Sequence, residues 1–335
     1  MGVLELIRTL MTIAALAMAG PAFANDTMAE VKTGGLVFTR TDAVTIESED
    51  LFISSKTVRV NYVFRNITER DVESIVAFPM PDITFDQYRE VALPQVGPDN
   101  FLGFSVNADG AEIMPELQQR AIVAGLDVTA DILAAGLSAN PHTNDGFKAV
   151  GDLPDRVKAD WVSRGILQEF TYDDGSGWKT EYYPTWTLRS TYWWRMRFPA
   201  GQSLNVTHAY SPSVGGTTGL SFFYDGKFGG DHYPAVKEKY CIDSGFERAI
   251  AKTADQSGYA PFQERWISYV LTTGANWATS IGHFTLTIDK GDTRNLVSFC
   301  GSGVKKVGPT TFQLTYTDFV PQKDVDILLL YRFDQ

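Results

Sequence analysis

The stretch VRVNYVFRNITERDVESIVAFPMPD, residues 58 to 82, limits the architecture of this chain more than any other feature. Val58, Val60, Tyr62 and Phe64 alternate with Arg59, Asn61 and Arg65. A two-residue period places the apolar side chains on one face of a strand and the polar ones on the other. Asn66 to Asp71 reads as a polar turn, and Ile75 to Phe78 carries a second strand. Pro79 and Pro81 then stop it, because proline has no N–H to give to a ladder.

The same grammar continues on both sides. From Gly35 to Ile113 short apolar or alternating runs are split by turn residues, and Phe101 to Val106 with Ala111 to Ile113 forms a further hairpin pattern around Asn107 to Gly110. Strand patterns resume over Thr185 to Phe198 and Leu204 to Tyr210. They recur late in the chain at Trp266 to Thr273, His283 to Asp289, Leu296 to Cys300, Thr311 to Asp318 and Val325 to Phe333. Between Pro115 and Ile166 the spacing changes: Leu117, Ala121 and Ile122 fall at helical intervals, Asp131 to Leu137 is rich in Ala and Leu, and Asp152 with Pro154 opens a helix ahead of Val157 and Trp161. Ser211 to Tyr233 reads as a long loop broken by Leu220 to Tyr224, and Phe246 to Lys252 as a short helix. The fold class expected is therefore mainly β: two β-sandwich-like units, with a helical insertion at about 115–185 in the first. The division expected is a leader at 1–24, an N-terminal β domain at 25–225 and a C-terminal β domain at 226–335.

The leader carries Arg8, then an uncharged, mostly apolar run from Thr9 to Phe23, ending in Ala22-Phe23-Ala24. Small residues in that pattern are what signal peptidase requires, and Gly20-Pro21 interrupts a run already short for a bilayer. Cleavage after Ala24 makes Asn25 the first residue of a periplasmic or secreted protein of 335 − 24 = 311 residues. A second uncharged run, Tyr269 to Ile288, holds Asn276, His283 and a Gly-Ala-Asn-Trp break. It reads as two strands and a turn, so no membrane-spanning segment is expected after cleavage. With 40 acidic against 29 basic residues the net charge is −11, which repels phosphate backbones and anionic lipid. Nucleic acid is excluded as a partner on that ground. The two cysteines, Cys241 and Cys300, are expected to form a disulfide in an oxidising compartment.

Motifs of catalysis are scarce. The four histidines, His142, His208, His232 and His283, include no His-Glu-x-x-His and no pair at zinc spacing, and neither metal nor cofactor is expected. Gly-x-Ser-x-Gly, Ser-x-x-Lys and phosphate-loop patterns are missing. Asp173-Asp174-Gly175 lacks the alternating acids of a calcium loop and reads as an acidic turn. Asp231-His232, in a loop, is a candidate for proton transfer or ligand binding. All seven Trp lie after residue 160, and Trp178, Tyr182, Tyr183 and Trp186 belong to a crowded aromatic region able to stack on a sugar or enter a protein partner. Asp160, Glu169 and Glu181 lie near it in sequence and are acid candidates by location alone. Of Trp193 and Trp194, adjacent in a strand, at least one is expected to fill core.

The segments NDTMAE, GGLVFTRTDAVTIESEDLFIS, VNYVFRN, VAFPMPD, WWRMRFPAGQSLNVTHAYSPSVGG, YVLTTGANW, DKG and VSFC together resemble an exported bacterial family catalogued only as a domain of unknown function. That likeness spans nearly the whole chain after the leader and implies an extracytoplasmic location with no catalytic residues to carry over. Arg65-Asn66, Phe78-Pro79, Phe104 to Val106 with Asp109-Gly110, then a helix expected around Ala121, then Pro199-x-Gly201 with Val206 and Tyr210, are similar in order to the vault and inter-alpha-trypsin type β domain, chiefly an interaction module. The functional expectation is a non-catalytic envelope protein binding an envelope protein or glycan through residues 115–185 and 211–234. The alternative is an enzyme or glycan binder acting on polysaccharide or peptidoglycan fragments.

Overall fold

The computed structural model describes residues 25–32, 35–84, 90–94, 100–142 and 146–333; the leader read from residues 1–24 lies outside them. In chain order the first strands are β1 (Thr27–Lys32), β2 (Gly35–Thr39), β3 (Val44–Ser54), β4 (Val58–Asn66), β5 (Val72–Pro79), β6 (Ile83–Thr84) and β7 (Glu90–Ala92). β8 (Ser105–Ala108), β9 (Ala111–Ile113), β10 (Glu116–Val123) and β11 (Leu126–Asp127) lead into three short helices, α1 (Thr129–Ala134), α2 (Gly146–Gly151) and α3 (Asp155–Ser163). β12 (Leu167–Asp173) and β13 (Trp178–Pro184) form a ribbon, followed by β14 (Thr187–Phe198), β15 (Ser203–Tyr210), β16 (Val214–Gly216), β17 (Phe223–Tyr224) and β18 (Lys227–Phe228). Helices α4 (Tyr233–Lys239) and α5 (Ser244–Ala251) precede β19 (Phe262–Tyr269), β20 (Ile281–Asp289), β21 (Leu296–Phe299), β22 (Lys305–Lys306), β23 (Thr311–Phe319) and β24 (Val325–Arg332).

The protein is mainly β. Three sheets carry most of it: one ordered β11-β10-β14-β5-β1-β2, one ordered β22-β23-β20-β3-β4-β15-β8-β9, and one ordered β21-β24-β19-β16-β7. Strands from both sides of residue 225 share them, since β20 runs parallel to β3 and β16 pairs with β19. In β4 the alternation read from sequence is realised: Val58, Val60, Tyr62 and Phe64 are buried, while Arg59, Asn61 and Arg65 are exposed. In β14 Trp194 enters the main core, while the half-buried Trp193 packs on the other face with Ala29, Ile75 and Ala77. Phe64 meets Trp277 at 4.6 Å and Phe104 meets Tyr192 at 4.4 Å, ring centroid to centroid. Each such side chain contributes about 1.5–3 kcal/mol by leaving water.

A smaller core holds Phe222, Phe223, Tyr240, Ile242, Ile250 and Phe262 beneath α4 and α5. α5 begins where the Asp243 carboxylate accepts the Phe246 N–H at 2.7 Å, a cap worth about 1 kcal/mol. The expected disulfide Cys241–Cys300 closes this unit across 59 residues. Chain-entropy arguments give such a crosslink about 4 kcal/mol.

Two local expectations are corrected. Leu117, Ala121 and Ile122 lie in strand β10, whose residues from Glu116 to Ile122 pair one by one with β14. Both faces of β10 are partly covered, so its sequence lacks a strict polar beat, and cross-strand pairing overrides the helical spacing. The region 211–233 is also less of a loop than its Gly and Ser content implies: β16, β17 and β18 lie inside it and α4 starts at Tyr233. Helix α3, opened by Pro154, forms where expected.

Candidate functional site

The sequence QEFTYDDGSGWKTEYYP folds into the β12–β13 ribbon, a two-stranded sheet of its own. Its turn uses up the acidic pair: Asp173 Oδ1 accepts the Gly175 N–H at 2.9 Å, and Asp174 Oδ1 accepts the Ser176 N–H at 2.9 Å. Lys179 donates to Asp174, which holds that carboxyl down at about 2. Gly175 and Gly177 take φ of 88° and 129°, which a side chain would resist. The pairing sets Gln168 opposite Tyr183, Phe170 opposite Glu181 and Tyr172 opposite Lys179. Directly opposed residues share a face, so Phe170, Tyr172, Tyr183 and Glu181 lie together.

Their contacts bear this out. The Phe170 ring is 5.8 Å from Tyr172 and 6.4 Å from Tyr183. Tyr172 donates to Glu181 Oε1 at 2.8 Å, and Tyr183 donates to Glu181 Oε2. The Tyr183 hydroxyl, then that of Tyr172, keeps Glu181 below the usual glutamate range, while the Tyr183 phenol is pushed up to about 12. The other face carries Tyr182, over which Lys158 of α3 stands 5.0 Å from the ring centroid, and Trp178, which is 78% exposed beside the turn. The ribbon therefore joins a ring-lined face around an ionised carboxylate to a tip with a bare indole. Phe170 and Tyr172 were missed from sequence, although the two-residue beat on both sides of Asp-Asp-Gly-Ser-Gly carries the signal.

Trp186 does not share that surface. It is 1% exposed, and its indole N–H donates to the Ala139 carbonyl at 2.8 Å. Its edge lines a pocket of about 180 Å³ with Leu137, Asn140 and Val150, and among the described residues no carboxylate lines it. Asp231 and His232 are exposed just ahead of α4. His232 Nε2 lies 3.2 Å from Ser221 Oγ, and the Ser221 N–H donates to the buried Glu264, whose carboxyl burial pushes above its ordinary value. Ser221 and Glu264, 43 residues apart, were not legible as neighbours. A larger cleft of about 400 Å³ is lined by Ser54, Lys56, Asp289, Asp292, Tyr331 and Arg332, a mixture of charges that selects no one ligand sign. No helix among the described residues is long and apolar enough to cross a membrane.

The model of a family described as a domain of unknown function, DUF4424, matches residues 24–328. The chain belongs to this family. No curated protein matches the chain. Among solved structures, a crystal structure from Legionella pneumophila subsp. pneumophila str. Philadelphia 1, of a protein presented as a candidate nutrient binding protein, is similar with a TM-score of 0.44. The identity is 18%, over 92% of this chain and 70% of that one.

Proposed function

We propose that this DUF4424 protein is an exported, non-catalytic binding protein of the cell envelope, periplasmic or secreted, whose ribbon β12–β13 engages an envelope protein. The observation that carries the reading is the ring-lined face of Phe170, Tyr172 and Tyr183 around Glu181, with Trp178 exposed at the tip. Aromatic faces beside an ionised carboxylate favour a cationic group, because ring quadrupole and carboxylate attract it together. A Lys or Arg side chain of a partner segment has that chemistry.

The test is site-specific photocrosslinking from position 178 in the envelope, paired with Trp178→Ala and Tyr183→Ala. A discrete adduct lost in Tyr183→Ala supports the reading. Unchanged capture and envelope phenotype in both variants would sink it. The enzymatic alternative rests on His232 beside Ser221. There the Glu264 carboxylate reaches the serine backbone, and in a working triad it would orient the imidazole instead. Labelling of Ser221 by a serine-directed phosphonate probe, abolished in His232→Ala, would favour that alternative.

A further inference from the structure

Chain ends ordinarily lie at the surface and fray. Asn25, Asp26 and Thr27 are each 0% exposed. The Asn25 backbone N–H donates to Thr273 Oγ1, and the Thr273 hydroxyl donates back to the Asn25 carbonyl at 2.5 Å. Trp277 Nε1 donates to the Asp26 carbonyl at 2.7 Å, Asn276 Nδ2 to Thr27 Oγ1 at 3.0 Å, and the Tyr62 hydroxyl to Asn25 Oδ1. The 3₁₀ turn Thr272–Asn276 and strand β4 thus clasp the start of the described chain.

The clasp encloses two carboxyl groups. Glu49 points inward because β3 shifts register between Ile46 and Ser48, which exchanges the inward and outward positions beyond the shift. Gly282 makes room for that irregularity: a Cβ there would stand 2.6 Å from the Glu47 carbonyl. Glu49 Oε2 accepts Asn25 Nδ2 at 3.0 Å. Glu49 Oε1 and both Asp26 carboxylate oxygens have no hydrogen-bond partner among the described residues. The other titratable groups facing them are Tyr62, Tyr269 and His208, whose Nε2 is 3.4 Å from Asp26 Oδ2. Burial holds His208 neutral, pushed down to about 3, and no Lys or Arg pairs with Asp26 or Glu49 among the described residues. A buried carboxylate without a counter-ion is strongly destabilising.

We propose that the missing cation is the protein's own: leader cleavage after Ala24 turns the Asn25 nitrogen into an α-ammonium that pairs with Asp26 and Glu49 inside the core. This rests on the export reading above. Water adds across the Ala24–Asn25 amide, the C–N bond breaks, Ala24 leaves as a carboxylate, and Asn25 keeps the nitrogen as an amine that takes up a proton. As an amide that nitrogen has one N–H, already given to Thr273; as an ammonium it has two more for the unpartnered oxygens. Without it, burial pushes Glu49 up to about 8 and raises Asp26 well above its ordinary value.

Two experiments test this separately from export. N-terminal sequencing of the exported protein should return Asn25; any other terminus overturns both the cleavage reading and the inference. Independently, the chain with a free Asn25 amine, made by in vitro tag removal, is compared with one bearing Gly-Ser before Asn25. In the free-amine chain, acylation of the α-amine should run on the order of 100-fold slower than in denaturant, since it must wait for opening. The extended chain should melt lower, and Glu49→Gln should lower the melt of the free-amine chain while leaving the extended one unchanged or raised. Rapid acylation of the folded protein, or equal effects of Glu49→Gln in both chains, overturns the inference and leaves export standing.

Discussion

The buried clasp at Asn25 and the exposed ribbon β12–β13 invert the usual distribution of side chains in opposite ways. At the clasp, carboxyl groups that belong in water are inside; on the ribbon, rings that belong in the core are outside. The clasp has its partners in the same chain, with Thr273, Asn276 and Trp277 converging on residues 25–27. On the ribbon the Phe170 ring packs on Tyr172 and Tyr183, and the hydroxyls of Tyr172 and Tyr183 donate to Glu181. A carboxylate inside calls for an internal counter-ion, whereas an aromatic ring outside leaves apolar surface in contact with water.

Removing the clasp's main apolar support should give the largest effect. Trp277→Ala deletes a ring that is 1% exposed, packs 4.6 Å from Phe64 and donates to Asp26. A loss of about 3–5 kcal/mol in urea unfolding is expected. The ribbon should respond in the other coordinate: Tyr183→Ala should weaken partner binding by about 2 kcal/mol, and Trp178→Ala should shift stability by less than about 0.5 kcal/mol. Titration calorimetry with the crosslinked partner and thermal melts check the pair. If Trp178→Ala unfolds the protein instead, the contrast between the two regions fails.

Acid and base should act on the clasp from opposite sides. In a chain that keeps an amide at Asn25, Glu49 rises from 4.5 to about 8, so its folded form holds the proton more tightly than the unfolded one. Its contribution is full below 4.5 and lost as pH climbs through about 8, with a slope of up to about 1.4 kcal/mol per unit. Asp26 works in the same direction. His208, depressed from 6.5 to about 3, contributes above 6.5 and loses that contribution as pH falls through about 3. Glu49→Gln should therefore remove the Glu49 share of the fall in stability between pH 4.5 and about 8, in a profile measured by denaturant unfolding at each pH. A small effect is expected from Lys158→Ala, which removes the ammonium above Tyr182 at about 0.5–1 kcal/mol. Loosened exchange protection confined to β12–β13 would show that this contact anchors the ribbon to α3.

What could be read from the residues follows from how local each signal is. The strand β4, the turn after it, the helix opened by Pro154 and the Cys241–Cys300 pair each depend on neighbours in sequence or on counting, and all are present. β10 was misread because its pairing with β14 decides its conformation. Trp186 looked like a companion of Trp178 because they stand eight positions apart; the partner that draws it inside, Ala139, is 47 residues away. Glu49 sits in a run, Glu-Ser-Glu-Asp, that looks like a solvent face. Only the register shift beside it, opposed by Gly282, turns it inward.

The bond between Asn25 and Thr273 spans 248 residues, and β3 finds its parallel neighbour β20 over a comparable stretch. Contacts of such high order form slowly, because the entropy of closing the loop is lost before any contact rewards it. A chain made N-terminus first thus delivers β3 long before its neighbour exists, and leaves that edge bare until β20 follows.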